Sequence, residues 1–283
     1  MRPQIPLCNS TMCQRMCMGT FVMALVANWV FGCAIPMNIV ALVTIVILGI
    51  GMLGTMSHLG KPGRFLGALR NPTSHLSLEM LTCIPVGICY LIIGANGLLY
   101  TMPEAAMTVL EVIGLIASVA FIWVTALAYR MKARPAWDNV FTPLNFMLTF
   151  LSGGAFGSLF AAVLADGAAP VGLLVTTIVL FVAATACQLF FTYFVSRVGY
   201  RIDVAPFGPE TRGVYSAWLI LGVVVPIIGL ATAFALVDFW PLFAIVMVSY
   251  AISLALWQAF FFIAGKEVWF FPQYEKDLSP AYY

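Results

Sequence analysis

Eight long apolar runs alternate with short polar segments along the chain, at about 12–34, 36–57, 76–99, 107–130, 142–165, 169–197, 213–236 and 240–264. A helix needs about 20 mostly apolar residues to cross a hydrocarbon core of about 30 Å, so each run predicts one transmembrane helix. Alternating ten-residue segments, the mark of a membrane β-barrel, are absent. The third and seventh runs each carry a central proline, Pro85 and Pro226, where a helix would kink and free backbone carbonyls. An echo four runs apart points to two four-helix bundles side by side. The fold expected is an all-α membrane protein of eight transmembrane helices, with residues 1–283 forming one polytopic domain.

Composition supports this reading. The chain is 63% hydrophobic and 8% charged, against roughly 25% charged for a soluble domain. The polar opening is long and no A-x-A site follows the first run, so a cleaved signal peptide is not expected. Seven cysteines are scattered without a C-x-x-C pair, which fits neither a zinc site nor a ferredoxin pattern. They read as small apolar residues of membrane helices, and no metal site is expected.

Charge tests the count of eight. With eight spans, one face of the membrane receives both termini and all thirteen basic residues: Arg2, Arg15, Lys61, Arg64, Arg70, Arg130, Lys132, Arg134, Arg197, Arg201, Arg212, Lys266 and Lys276. The loops of the other face carry Glu104, Asp166 and Asp238. One span more or fewer scrambles this division. Two causes give such a face: the positive-inside rule, which makes it cytoplasmic, and docking of an acidic partner subunit.

Chemistry gathers between the second and third runs, from His58 to Glu79. This stretch holds both histidines, His58 and His75, three bases, and a carboxylate about one turn inside the third run. A charge at the centre of a membrane helix costs about 2.5–3.5 kcal/mol on insertion scales, so Glu79 is partnered or functional. A quinol in the bilayer gives up two protons and two electrons when oxidised. It needs a hydrogen-bond acceptor for a hydroxyl, a proton sink and an exit to water. Histidine suits the first role and a partly desolvated glutamate the second. Lys61 and Arg64 would hold a quinone oxygen or a partner's carboxylate, or serve as solvated positive-inside charges.

At these residues the sequence resembles the DmsC-like membrane anchors of dimethyl sulfoxide reductase-type complexes. The resemblance rests on an H-L-G-x-P-x-R run ending one helix and S-x-E opening the next: His58, Leu59, Gly60, Pro62, Arg64, Ser77 and Glu79. A second block runs from Ile122-Trp123 through Tyr129, Pro135-x-Trp137 and Thr142-Pro143-Leu144 to Leu148-Thr149-Phe150 and Gly153-Gly154. The resemblance implies a three-subunit complex for anaerobic respiration in the bacterial cytoplasmic membrane. Its parts are a molybdopterin catalytic subunit, a four-cluster iron–sulfur subunit docked on the basic face, and an anchor that oxidises menaquinol from the quinone pool. The anchor itself binds no haem or metal. His58 and Glu79 match the family's quinol-site residues, with Lys61, Arg64 and Ser77 beside them. The quinol face is the docking face in the family, and lies outside the cytoplasm when the catalytic subunit carries a twin-arginine signal. The very short connection between the first two runs and the extreme basic asymmetry depart from the family.

Other chemistry ranks lower. Haem b needs two imidazoles facing each other across helices, whereas His58 and His75 flank one loop. Arg130, Lys132 and Arg134 read as a basic helix end, and Trp137 and Tyr129 as interfacial aromatics, with stacking on a quinone ring as the alternative. Gln188 and Gln258 read as interhelical hydrogen-bonding groups, and the glycines of Ser152-Gly153-Gly154-x-x-Gly157 as close packing. A secondary transporter is the competing class; it would want mid-membrane charges and discontinuous helices. A purely structural anchor is the third reading. Nothing points to nucleic acid.

Overall fold

A computed structural model describes residues 5–57, 74–198 and 211–265. Among these, eight helical segments lie over the eight apolar runs, and no strand is present. Segment α1 covers 5–31, built from Ile5–Cys13, a π-helical stretch Gln14–Met18 and Gly19–Phe31. Next come α2 (Met37–Ser57), α3 (His75–Ala95), α4 (Glu104–Ala128), α5 (Phe141–Asp166) and α6 (Val171–Val198). Segment α7 covers 212–233, with a π-helical stretch Ile220–Val224 at its middle, and α8 is Trp240–Ala264. Six helices, α3 to α8, are long and apolar enough to cross a membrane. In α2 the apolar stretch Met37–Leu53 is shorter.

The first helix departs from expectation. It begins at Ile5 rather than near residue 12, so Arg15 falls well inside it instead of at its mouth. Arg15 is 1% exposed and is no part of a solvated basic face. The π-helical stretch around it is wider than an α-helix and leaves carbonyls to be satisfied. Thr20 Oγ1 donates to the Met16 carbonyl at 2.7 Å, and Thr44 Oγ1 reaches across from α2 to the Cys17 carbonyl at 3.3 Å. The π-helical stretch of α7 is treated likewise, Ser249 Oγ donating to the Leu221 carbonyl at 2.7 Å. In lipid, where no water competes, such side-chain partners are required.

Helix α5 is the most deeply buried of the six and packs against α1, α4, α6 and α8. Helix α3 lies between α2 and α4, and α7 packs on α8. The α1–α5 crossing is drawn tight by glycine: a Cβ at Gly154 would run into the Gly19 backbone, and one at Gly157 into the Thr20 side chain. Small residues permit this approach where apolar burial gives helices no reason to prefer each other to lipid. The packing reading of the 152–157 stretch thus holds.

Local chemistry fixes the ends. Gly32 adopts φ 68° and closes α1. Asn28 then exchanges two hydrogen bonds with Ile35, and the Ala34 N–H donates to Asp166 at the end of α5. These contacts hold the short α1–α2 connection. At the other face, Asn139 Oδ1 accepts from the N–H groups of Phe141 and Thr142, starting α5.

Candidate quinol site

His58, Lys61 and Arg64 lie outside the described residues. Ser77 and Glu79 are described, and both stand at the opening of α3. Ser74 is its N-cap: the Ser77 N–H donates to Ser74 Oγ at 3.2 Å, and the two hydroxyls are 2.7 Å apart. Ser77 is fully buried, so its hydroxyl helps to start the helix. His75 is exposed at the first residue of α3.

Glu79 is half-buried one turn further in. Its Oε1 accepts a hydrogen bond at 3.1 Å from Thr125 Oγ1 on α4. Thr125 is buried in the last turn of a helix that returns to the basic face. Among the described residues this one neutral donor is the carboxylate's hydrogen-bond partner, which leaves lone pairs for a further partner.

An apolar cleft of about 200 Å³ opens between α1, α2, α3 and α4. Its walls are Met18 of α1, Ile45, Leu48 and Met52 of α2, Cys83 and Val86 of α3, and Phe121 of α4, with the Gln14 side chain as a polar element. Cys83 is four residues from Glu79 and so lies on the same face of α3. The cleft runs along α3 from Cys83 to Tyr90, one turn beyond Glu79. Gly49 and Gly87 line it, and a Cβ at either would meet nothing within 4 Å. Tyr90 closes the far end, packed at 4.2 Å on Phe21 and hydrogen-bonded to Ser118 at 2.7 Å.

A second polar group was not legible in the pattern. Arg15 donates to the Thr11 carbonyl at 3.1 Å, to Thr149 Oγ1 at 3.1 Å and to Gln258 Oε1 at 2.8 Å, and it lies 4.9 Å over the Phe146 ring. The arginine thus ties α1 to α5 and α8. Gln258 makes the interhelical hydrogen bond expected of it, but the donor is a cation. The signal in the sequence was the pair of polar residues, Thr149 and Gln258, inside apolar runs that an arginine at the same depth could reach.

Trp137 and Tyr129 also depart from the interfacial reading. Trp137 is buried, stacks on Phe261 at 4.9 Å and donates its indole N–H to the Phe261 carbonyl at 2.8 Å. Tyr129 is half-buried in a cage of Trp137, Phe146, Phe261 and Phe262. Among the nearby bases, Arg134 donates to the Gly265 carbonyl at 2.7 Å and lies 4.3 Å over Trp137, and Arg130 pairs with Asp138 at 3.3 Å. These two bases join the α4–α5 connection to itself and to the end of α8.

Similarity to known proteins supplies the family. Over 115 residues the sequence is 31% identical to the C subunit of the anaerobic dimethyl sulfoxide reductase of Escherichia coli (strain K12), a match covering 38% of this protein and 39% of that one. Over 113 residues it is 30% identical to YnfH, an anaerobic dimethyl sulfoxide reductase subunit of the same organism, covering 38% of each. Over 120 residues it is 27% identical to the corresponding C subunit of Haemophilus influenzae (strain ATCC 51907 / DSM 11121 / KW20 / Rd), covering 41% of this protein and 42% of that one. The matched stretch spans about two fifths of the length of these curated relatives. The family model of the DMSO reductase anchor subunit (DmsC) matches residues 2–277. The protein is a multi-pass helical membrane protein and belongs to the DMSO reductase anchor subunit (DmsC) family.

Proposed function

We propose that this protein is an eight-span anchor that binds and oxidises menaquinol and hands its electrons to an iron–sulfur subunit of a molybdopterin-dependent terminal reductase. The observation that carries the reading is Glu79, a carboxylate in the second turn of α3 whose one donor among the described residues is Thr125, on the same helix as Cys83 and Val86, which line an apolar cleft. Glu79 takes or relays a proton from the quinol. His58 accepts a hydrogen bond from a quinol hydroxyl, and Lys61 and Arg64, three and six residues further along the sequence, hold a quinone oxygen or a partner's carboxylate. The apolar cleft suits the ring and the first part of its isoprenoid tail, because Met, Leu and Phe walls offer dispersion contact without polar groups to desolvate.

The basic face docks the four-cluster iron–sulfur subunit, which passes electrons on to the molybdopterin subunit. The anchor supplies the quinol site and binds no metal itself. The complex resides in the bacterial cytoplasmic membrane and serves anaerobic respiration. A transporter reading draws on Arg15, a charge at membrane depth, but that guanidinium is held by groups of α1, α5 and α8.

Mass spectrometry of whatever co-purifies in mild detergent tests the anchor reading. A large molybdopterin subunit together with a cysteine-rich ferredoxin-like subunit is the expected result. A lone protein or simple homo-oligomer contradicts it and favours transport.

A further inference from the structure

Gln14, Cys83 and Tyr90 are the side chains of the cleft wall that carry an N–H, S–H or O–H group. Two of them are committed. Ser118 Oγ donates to the Gly114 carbonyl at 2.6 Å, so it accepts at its 2.7 Å contact with Tyr90, and the Tyr90 proton is spent there. The Cys83 thiol turns to the Met52 sulfur at 3.8 Å. Gln14 differs from both. It is 9% exposed and lines the cleft, and among the described residues its amide has no hydrogen-bond partner. A buried amide left so carries its full desolvation cost.

Contacts between the helices order the cleft along its length. At one end α1 and α2 approach closely: a Cβ on Gly51 would stand 3.1 Å from Cys13 Cβ, and the next residue, Met52, touches Cys83. At the other end Thr44 reaches the Cys17 carbonyl, and Phe21 lies 4.2 Å from Tyr90. Gln14 follows Cys13 in the chain and Met18 follows Cys17, so Gln14 stands at the Cys83 end and Met18 at the Tyr90 end. Cys83 is one turn from Glu79 along α3. Gln14 also opens the π-helical stretch Gln14–Met18, a distortion found often at functional positions.

We propose that the Gln14 amide binds a ring oxygen of a quinol held in this cleft and serves both redox forms of the ligand. The inference rests on the quinol-oxidising reading of the protein. A ring oxygen of the quinol is a hydroxyl that donates; in the quinone the same oxygen is a carbonyl that only accepts. A carboxamide meets both, with Oε1 accepting from the hydroxyl and Nε2–H donating to the carbonyl. It does so without a charge, which suits a wall built from Leu48, Val86 and Phe121. A lipid acyl chain fits the same apolar walls but offers nothing to the amide.

The test is equilibrium binding of two soluble probes to the purified complex: a naphthoquinone, and methylnaphthalene as a similar ring without oxygens. Gln14→Met keeps the length of the side chain and removes the amide. It should weaken naphthoquinone binding about 2- to 10-fold, the range for one hydrogen bond, and leave methylnaphthalene binding unchanged. KM for the reduced naphthoquinone should rise by a similar factor with kcat kept. Gln14→Asn keeps the amide but withdraws it by one methylene. It should act in the same direction, and it serves as the test if Gln14→Met does not assemble. Naphthoquinone bound equally by wild type and both variants would overturn the assignment and leave the amide to solvent. An equal loss for both probes would also overturn it, making Gln14 a residue that only shapes the wall. In either case oxidation lost in Glu79→Gln would leave the quinol reading standing. Naphthoquinone that binds the wild-type complex no better than methylnaphthalene does would remove that reading, and the inference with it.

Discussion

Thr125 Oγ1, in the last turn of α4, donates a 3.1 Å hydrogen bond to Oε1 of Glu79, one turn into α3. The contact joins two helices that enter the membrane from opposite faces. It places the carboxylate against the helix end that leads to Tyr129. Thr125→Val keeps the shape and removes the donor. A lost hydrogen bond of this kind is worth about 0.5–1.5 kcal/mol. Quinol oxidation should therefore fall about 2- to 10-fold with the complex still assembled, measured as initial rate per assembled complex.

The cleft makes a steric prediction. Gly49 and Gly87 face open space, so Gly87→Ala should be tolerated, whereas Gly87→Leu should fill the volume that the ring or tail needs. Gly87→Leu should raise the KM for a menaquinol analogue by about tenfold or more, the scale of a clash costing about 1.4 kcal/mol, with wild-type thermal unfolding. An unchanged KM would place the quinol elsewhere.

The helix seam makes a stability prediction. A side chain at Gly154 meets Gly19 backbone, which has no flexible end to move aside. Gly154→Val should lower stability by about 3 kcal/mol or more, the upper end for overpacking a close-packed interior. Val at Gly87, which meets open space, should cost far less. Thermal unfolding of the two variants in the same detergent compares them.

Much of the fold is written in the hydrophobic pattern, because a membrane span must satisfy its own backbone and so appears as one continuous apolar run. The α3–α8 spans emerge within a few residues of the runs that predict them. Arg15 stands out at the start of the first run, yet charge counting assigns it to the basic face, because counting weighs a residue by its place in a loop. Its depth follows from α1 starting at Ile5, which places residue 15 within the π-helical stretch Gln14–Met18, and from acceptors on α5 and α8 far away in sequence. Tyr129 and Trp137 read as interfacial for the same reason: the α4–α5 connection folds back over α8, a tertiary fact that no local pattern carries. Glu79 is legible because a carboxylate in an apolar run stands out, and Ser77 through the S-x-E resemblance; the cap it shares with Ser74 is visible only in the structure. The cleft between α1, α2, α3 and α4 depends on several helices converging, and periodicity alone does not report it.

The connection over α8 gives one more prediction. Arg134 caps α8 through the Gly265 carbonyl and covers the Trp137 ring. Arg134→Ala should destabilise the basic end of α8 by about 1–3 kcal/mol, from a charge-assisted hydrogen bond and the lost ring contact. Hydrogen exchange should quicken near residues 261–265 and remain slow at the α1–α5 crossing.

The most direct measurement is the rate at which the assembled complex oxidises a menaquinol analogue, wild type against Glu79→Gln, at matched amounts of complex. Glu79→Gln keeps the side-chain shape and the acceptor for Thr125 but cannot take a proton. The expected result is a loss of about a hundredfold or more, the scale of a missing general base, with partner subunits still bound. Oxidation at the wild-type rate would contradict a proton-accepting role for Glu79 and, with it, the quinol site.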